Sequence, residues 1–237
     1  MQFKRSSRYL ATILLAFATG TATVNAAEAE ATSSSQGRAG IFGLSGDAGF
    51  YTYGVNGVND QLHGTNTTLN GGMGYGVAGK FNLTNTLAAK VGIDYLYASA
   101  PASRIVNGTR VNSQVNLPAT MVFIGGEYVF LPLPALDLKL IGGYTLVNIF
   151  NGHETGTNGY DMGAITGSGS GAQVGAGAEL FLGRGFSIET DLAYNFARID
   201  GATFAGAPAD PNSTSSNGTV DYSGVTAKVA FTIYLIP

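Results

Sequence analysis

Few side chains in this sequence could do chemistry, because only 11% of the 237 residues are charged and the chain holds two histidines and no cysteine. His63 and His153 both lie in polar stretches, and Glu154 could orient His153 as a general base. A solvated loop dipeptide is the simpler interpretation of that pair. Without cysteine, disulfide bridges, thiolate metal sites and cysteine nucleophiles are excluded.

Other sequence signatures of ligand binding are also missing. The Gly-rich run 167–177 alternates with small residues as a strand does, so it does not predict a phosphate-binding loop. No calcium-loop spacing of acids surrounds Asp210, and no nucleophile elbow is present. A net charge of −3, without a basic cluster beyond the first eight residues, argues against a nucleic-acid partner. We therefore predict no catalytic, cofactor or metal site and no enzymatic activity.

Six of the acidic residues and all lysines after the N-terminal region occupy alternate positions of apolar segments, which is the pattern of β-strands. In residues 186–196, FSIETDLAYNF, the even positions are mostly apolar or aromatic, while Glu189 and Asp191 fall on odd positions. A helix would mix these two sets. The segment is therefore predicted to be a strand with one apolar face and one polar face.

Seven further segments fit the same template, which predicts an all-β chain with eight antiparallel strands: residues 40–54, 72–83, 87–97, 115–130, 137–150, 166–182 and 222–235. Three connections between strands are short: residues 84–86, 131–136 and 183–185. The other four are long and rich in Asn, Gly, Thr and Ser: residues 55–71, 98–114, 151–165 and 197–221. Short turns at one end and long loops at the other are typical of an up-and-down transmembrane β-barrel.

Charged side chains set the phase of each strand. In a narrow barrel their face points into the lumen, where an unpaired charge is costly. We predict an interior network of ion pairs formed by Asp47, Lys80, Lys90, Asp94, Glu127, Lys139, Glu179, Glu189, Asp191 and Lys228. The alternative is that the members near the short turns are rim charges in water: Lys80, Lys90, Glu127, Lys139, Glu179 and Glu189. Asp47, Asp94, Asp191 and Lys228 are expected to lie deeper.

Alternation alone does not tell whether the apolar faces meet a soluble core or lipid. Three observations favour lipid: charge is sparse, the polar faces carry small residues that fit a narrow interior, and aromatic residues gather near both strand ends. Two aromatic girdles at the lipid interfaces are therefore predicted. The girdle near the short turns comprises Phe81, Tyr128, Phe130 and Phe186, and the girdle near the long loops comprises Tyr75, Tyr95, Tyr97, Tyr194 and Phe196.

The N-terminus predicts export from the cytoplasm. Lys4, Arg5 and Arg8 precede an apolar run at residues 9–18, and small residues follow as far as Ala26. This order is typical of a secretory signal peptide, and the apolar run is too short to span a bilayer. We assign residues 1–26 to the signal peptide, residues 27–38 to a flexible segment and residues 39–237 to the barrel.

With its export signal, eight alternating strands and rhythm of short and long connections, the chain resembles the small bacterial outer-membrane β-barrels of the OmpA and OmpX type. OmpW-like proteins are similar to that family, and the resemblance covers residues 39–237 of this chain. It implies an integral protein in the outer membrane of a Gram-negative bacterium, surrounded by outer-membrane lipid. It also implies dependence on the barrel-assembly machinery and periplasmic chaperones during biogenesis.

The same resemblance implies a non-enzymatic structural or surface-binding role through four long extracellular loops, with an unidentified surface ligand. The alternative is a narrow porin-like channel for small solutes. A lipid-modifying enzyme acting through His153 ranks below both. One departure from the family is the C-terminus, since such barrels usually end in an aromatic residue and this chain ends in Leu235-Ile236-Pro237.

Overall fold

The structure is a computed structural model that describes residues 38–53, 69–106, 108–157, 161–204 and 218–235. The segment assigned to a signal peptide, 1–26, lies outside the described residues. Of the segment 27–38, only Arg38 is described. His63 and Asp210, together with most of the first and last predicted loops, also lie outside the described residues.

The described residues form nine β-strands. Their bounds are β1 Phe42–Tyr53, β2 Gly72–Asn82, β3 Leu87–Val106, β4 Thr109–Pro132, β5 Leu136–Gly156, β6 Asp161–Phe181, β7 Phe186–Phe204, β8 Gly218–Asp221 and β9 Gly224–Leu235. No helix among the described residues is long and apolar enough to cross a membrane.

Eight of these strands close into a ring. Each strand from β1 to β7 pairs antiparallel with the next, and β9 pairs with both β7 and β1. The short strand β8 pairs with β7 immediately above β9, so it continues the path of the last strand. The predicted eight-stranded antiparallel barrel is confirmed.

Alternation along the strands separates an outward and an inward face, as the charged residues predicted. On β7, Leu192 and Tyr194 are exposed on the outside, while Glu189 and Asn195 are buried inside. A closed ring of eight strands leaves an interior that side chains fill, so the inward residues are buried by one another.

The three predicted short turns are confirmed at one end of the barrel, which we call the turn side. In the first of them, the Thr84 hydroxyl accepts a hydrogen bond from the Leu87 amide at 3.0 Å. In the third, Gly183 adopts a φ of +141°, a conformation that residues with a side chain rarely adopt. These tight connections fix the register of the strands that they join.

At the other end, two of the predicted long loops are wrong. Residues 98–106 and 109–114 are not a loop but the upper parts of β3 and β4, paired as far as Val106 with Thr109. Residues 151–156 and 161–165 likewise belong to β5 and β6. The last predicted loop, 197–221, contains the end of β7 and the whole of β8.

We call these upper strand segments the loop-side extension: residues 98–117, 149–156, 161–167, 197–204 and 218–221. They are rich in Ser, Asn and Gly, which is why they were predicted as loops. β4 nevertheless alternates regularly from Val111 to Val115. On β4, Val111, Val115 and Leu117 are buried inside the barrel, whereas Asn112 and Gln114 face outward. A strand with this pattern has water on its outer face.

Candidate functional site

The interior on the turn side holds seven charged side chains that contact one another, which we call the charge cluster: Lys80, Lys90, Lys139, Glu127, Glu179, Glu189 and Asp191. They come from β2 to β7, so six consecutive strands of the ring meet there. The network joins residues that lie as far apart in the sequence as Lys80 and Glu189.

Lys80 binds three of the carboxylates. Its Nζ atom lies 2.7 Å from Glu179 Oε2, 2.7 Å from Glu189 Oε1 and 3.3 Å from Glu127 Oε2. Because all four side chains are almost completely buried, water does not screen these contacts. Lys80 is therefore held by acids from β4, β6 and β7 at once.

The other two lysines complete the charge cluster. Lys90 Nζ lies 2.7 Å from Glu127 Oε1 and 3.2 Å from Glu189 Oε2, and 3.5 Å from Asp191 Oδ2. Lys139 Nζ lies 3.0 Å from Glu127 Oε1 and also donates to Glu189 Oε2. Glu189 is thus shared by all three lysines, and it accepts a further hydrogen bond from Thr232 at 2.8 Å.

The strand register places like charges side by side, so each of them needs opposite charges from across the lumen. Lys80 and Lys90 are direct neighbours on β2 and β3, and Glu179 and Glu189 are direct neighbours on β6 and β7. Like charges in such positions repel each other within the sheet. Across the narrow lumen the two lysines reach the two glutamates, and attraction through the interior offsets repulsion along the wall.

Space for the charge cluster comes from small residues on the inward face. A Cβ atom added at Gly177 would lie 2.2 Å from Asp191 Oδ1 and 3.0 Å from Lys139 Cε. Gly177 therefore leaves the room that these two charged side chains occupy.

A second ion-pair group lies next to the charge cluster, toward the middle of the barrel. Lys228 Nζ lies 2.5 Å from Asp94 Oδ2 and 3.6 Å from Asp47 Oδ1. All ten residues proposed from the sequence for the interior network therefore point inward, and the structure brings them into two adjacent groups.

The alternative of water-exposed rim charges does not describe the six residues near the short turns. Lys139 is 0% exposed and Glu189 is 1% exposed. Lys228 and Asp191, which were expected to lie farther from the short turns, are 16% and 12% exposed and keep more contact with solvent than these two do. Tyr234, Phe181 and Arg38 cover the turn-side end and remove the rim from water.

Three carboxylates of the charge cluster lie close enough together to raise the possibility of a metal site. Oxygens of Glu127, Glu189 and Asp191 all lie within 4.8 Å of one another. The ammonium groups of Lys90 and Lys139 both contact this set of oxygens, so they already supply the positive charge that a metal ion would bring. The residues do not fit a metal centre.

On the loop side the interior is apolar. Its buried residues, which we call the loop-side core, include Leu96, Leu117, Ile149, Ile199 and Tyr222. Each of these five is at most 1% exposed. Phe123, Ile141 and Val147 also point inward, which explains why the polar faces of β4 and β5 were the least regular in the sequence. Among the described residues, the lumen is therefore filled mainly by charged side chains at one end and mainly by apolar side chains at the other.

Sequence reasoning missed three inward charged residues. Arg38 stacks on the rings of Phe181 and Tyr234, at 3.6 Å and 4.5 Å from their centroids, although it was assigned to a flexible segment. Asp137 is buried on the same face as Lys139. Because the two residues are two positions apart in the strand, the inward position of Asp137 could have been predicted from that of Lys139. Glu154 is buried and accepts a hydrogen bond from Ser113 at 2.5 Å.

His153 and Glu154 do not form a catalytic pair. Both belong to β5, where Glu154 points inward and His153 lies on the outer face. His153 Nδ1 contacts the carbonyl oxygen of Asn151 at 2.9 Å. Adjacent residues of a strand face opposite ways, so the carboxylate of Glu154 cannot orient the imidazole.

The outer surface of the turn-side half is apolar, and its aromatic residues lie where the sequence placed them along the strands. All nine girdle residues face outward, and eight of them are exposed: Tyr75, Phe81, Tyr97, Tyr128, Phe130, Phe186, Tyr194 and Phe196. Tyr95 is half-buried against Tyr75 and Phe150. From Phe186 to Tyr194 the distance along β7 is about 26 Å at the usual rise per residue, or roughly 20 Å after tilt.

Solved structures with the same fold are outer-membrane proteins. OprG from Pseudomonas aeruginosa superposes with a TM-score of 0.55 at 12% identity, covering 84% of this chain and 98% of OprG. Ail of Yersinia pestis gives a TM-score of 0.45 at 11% identity, covering 83% of this chain and 99% of Ail. No protein-family model and no curated protein sequence matches the chain. At such low identity the likeness to OprG shows the fold alone, and that fold is an eight-stranded antiparallel β-barrel.

Proposed function

We propose that this chain is an integral outer-membrane protein of a Gram-negative bacterium, with a scaffolding barrel and a non-enzymatic role at the cell surface. The observation that carries the proposal is the outer face of the turn-side half, where large apolar side chains such as Leu44, Phe50 and Val77 are exposed all around the ring. Water would make such a surface unstable, and monomeric soluble proteins rarely expose one.

The upper border of this apolar surface supports the same conclusion. On β7 the outward residues change from Phe196 to Arg198 and Asp200, which form an exposed ion pair at 2.8 Å. On β3 they change from Tyr97 to Ser99, and both hydroxyls donate to Asn116 Oδ1 at 2.8 Å. A hydrocarbon layer on the turn side and water around the extension account for both changes.

The filled interior favours a structural or surface-binding role over a channel. A solute would have to pass the buried ion pairs of the charge cluster and then the loop-side core. A cavity lined by Lys90, Asp94 and Phe123 has a volume of about 30 Å³, which is room for one or two water molecules. A narrow channel remains the alternative function, and it requires the charge cluster to open.

The interaction surface proposed here is the loop-side extension with the connections that it carries. Most of its outward residues are polar, as in Asn112, Gln114 and Asp200, although Ile105 is exposed there as well. Partners follow from the same placement: outer-membrane lipid around the wall, the barrel-assembly machinery and periplasmic chaperones during biogenesis, and an unidentified surface ligand above the membrane. A lipid-modifying activity through His153 has no support from the orientation of Glu154.

Cell fractionation combined with a heat-modifiability gel tests the proposal. The full chain should sediment with the outer membrane, and its unheated form should migrate at a different apparent mass from its boiled form. Planar-bilayer recordings of the same preparation should give no stable conductance steps. Recovery in the soluble periplasmic fraction would contradict the membrane assignment, and steady conductance would favour the channel.

A further inference from the structure

The outward face of β1 has a gap in its row of large apolar side chains. Leu44 and Phe50 lie on this face and are 54% and 64% exposed. The two outward positions between them hold Gly46 and Ala48, which are the smallest residues available. The outer wall of the barrel is therefore recessed in the middle of β1.

Side chains on the two neighbouring strands turn this recess into a groove. Tyr75 of β2 pairs with Ala48 on one side, and Val229 of β9 pairs with it on the other. Phe231 of β9 continues the second wall beside Gly46. The groove has a volume of about 570 Å³, and volumes of roughly 300–1,000 Å³ are usual for sites that bind small molecules.

Packing of the barrel does not require a glycine at the floor of this groove. A Cβ atom added at Gly46 would meet no other atom within 4 Å, and the backbone there is not in the left-handed region. β1 is paired through this position on both sides without a register shift. Glycine weakens a strand, and where no bulge accounts for it, it often marks the close approach of a ligand. Gly46 therefore keeps space open on the outside of the wall.

The described walls of the groove offer no charged group to a ligand. Asp47 lines the floor, but its carboxylate points into the lumen, where Lys228 Nζ lies 3.6 Å from Oδ1. Phe231 stacks on Phe186 of the turn-side girdle with ring centroids 5.8 Å apart, whereas Tyr75 belongs to the girdle near the loop side. The groove thus crosses the apolar surface from one girdle toward the other.

We propose that this groove binds one acyl chain of a membrane lipid. The site depends on the proposed function, which places hydrocarbon around the turn-side half of the barrel. Its walls offer carbon surface without charge, so a hydrocarbon chain fits them and a lipid headgroup does not. Along β1, Leu44 and Phe50 are about 20 Å apart at the usual rise per residue. Half of a hydrocarbon layer of about 30 Å gives one acyl chain roughly 15 Å, so the gap accommodates it.

Other occupants fit this groove less well. A peptide segment placed there would leave backbone N–H and C=O groups without partners in hydrocarbon. A second barrel would present a convex wall, which spans the groove and does not fill it. An acyl chain contacts the floor and both walls at once. Dispersion contacts of this kind drive association between apolar surfaces inside a membrane, where neither surface leaves water.

Native mass spectrometry of the delipidated full chain, released from detergent micelles, tests the site. Titration with dipalmitoyl phosphatidylethanolamine should give one saturable lipid adduct per barrel. Dipalmitoyl phosphatidylglycerol should bind with the same affinity, because the groove contacts the chain and not the headgroup. Dihexanoyl phosphatidylethanolamine should bind about tenfold more weakly or less, since its short chains make far fewer carbon contacts. Equal binding of the long and short chains, or a strong preference for one headgroup, would overturn the proposal.

Two matched variants locate the adduct. Gly46→Phe fills the groove and should lower the affinity for dipalmitoyl phosphatidylethanolamine about tenfold, the effect of losing roughly ten carbon–carbon contacts. Gly142→Phe makes the same change at an outward glycine of β5 that does not line the groove, where an added Cβ also meets nothing within 4 Å. It should keep the affinity of the wild type. A heat-modifiability gel establishes that both variants fold, and equal affinities of the two would overturn the site.

The remaining outcomes separate this site from the proposed function. A wild-type chain that sediments with the outer membrane but forms no lipid adduct would overturn the groove site and leave the proposed function standing. A wild-type dimer that Gly46→Phe converts to a monomer would mean that a second copy covers the groove, and it would overturn the lipid site as well. Recovery of the wild type in the soluble periplasmic fraction would overturn both proposals.

Discussion

The two ends of the barrel are built by opposite rules. On the turn side the outer face is apolar and the inner face carries the charge cluster, whereas the loop-side extension has polar residues outside and the loop-side core inside. β4 passes through both regions, with Ile124 outside and Glu127 inside at one end and Gln114 outside and Val115 inside at the other. The same alternate positions of the strand point inward along its whole length. The inward residues, however, change from charged to apolar, and the outward residues change from apolar to polar.

This inversion shows what strand alternation reports. A period of two indicates that the two faces have different surroundings, and it does not say which face is buried. The medium around the wall decides that. Hydrocarbon outside allows the charges to be sequestered within, and water outside requires the ordinary arrangement of a soluble protein.

The largest effect is expected from Glu189→Gln in the charge cluster. The change removes the negative charge of a carboxylate that contacts Lys80, Lys90 and Lys139, so the free energy of unfolding should fall by about 4 kcal/mol. Because the chain has no tryptophan, unfolding in urea is best followed by circular dichroism and by gel mobility. The exposed counterpart Asp200→Asn should cost less than about 0.5 kcal/mol. Equal effects of the two changes would contradict the stabilising role of the charge cluster.

The second largest effect is expected from a substitution in the loop-side core. Ile199→Ala truncates a fully buried side chain of the loop-side core and should cost about 3 kcal/mol through lost burial and the cavity that remains. Bilayer conductance should not change, because the charge cluster still fills the turn side. Loss of stability together with new conductance would mean that the loop-side core alone closes the lumen.

A third change compares the outer faces. Val77→Arg places a charge in the middle of the apolar surface and should destabilise the protein in lipid vesicles by about 2–3 kcal/mol. Thr203→Arg makes the same change on the exposed extension, where the expected cost is below about 0.5 kcal/mol. If both variants unfolded at the urea concentration of the wild type, lipid would not surround Val77.

The smallest effect concerns the cover of the turn-side end. Arg38→Gln removes the cation that stacks on Phe181 and Tyr234 and should cost about 1 kcal/mol. Arg184→Gln, at an exposed position of the neighbouring turn, is the matched control and should have no measurable effect. A larger loss for Arg184→Gln than for Arg38→Gln would rule out this stacking as a stabilising contact.

The sequence predicts the strands of the turn-side half well, because Lys80, Glu127 and Glu189 each mark the inward face with a charge. It does not predict the strands of the extension, because the abundance of Ser, Asn and Gly there indicated loops. The alternation of Val111, Val115 and Leu117 was the evidence for a strand. Glu154 was beyond reach for another reason. The register between β5 and β6 shifts near Asn151, whose φ is +55°, and the shift reverses which residues point inward.

The contacts within the charge cluster could not be predicted from the sequence either. Period-two reasoning assigns Lys80 and Lys139 to a face, but it does not say which carboxylates they meet across the lumen. Those partners depend on strand tilt and on the closure of β9 against β1. Arg38 lies outside any strand, and no periodic signal precedes it.

In the proposed membrane placement, hydrocarbon surrounds the turn-side half and water surrounds the loop-side extension. The chain has no cysteine, so single substitutions to cysteine at Val77, Leu192, Asn112 and Thr203 allow a nitroxide spin label to be attached at each chosen site. In lipid vesicles, labels at Val77 and Leu192 should collide with oxygen and not with a water-soluble nickel complex. Labels at Asn112 and Thr203 should show the opposite preference. Strong collision of the nickel complex with labels at Val77 and Leu192 would contradict this membrane placement.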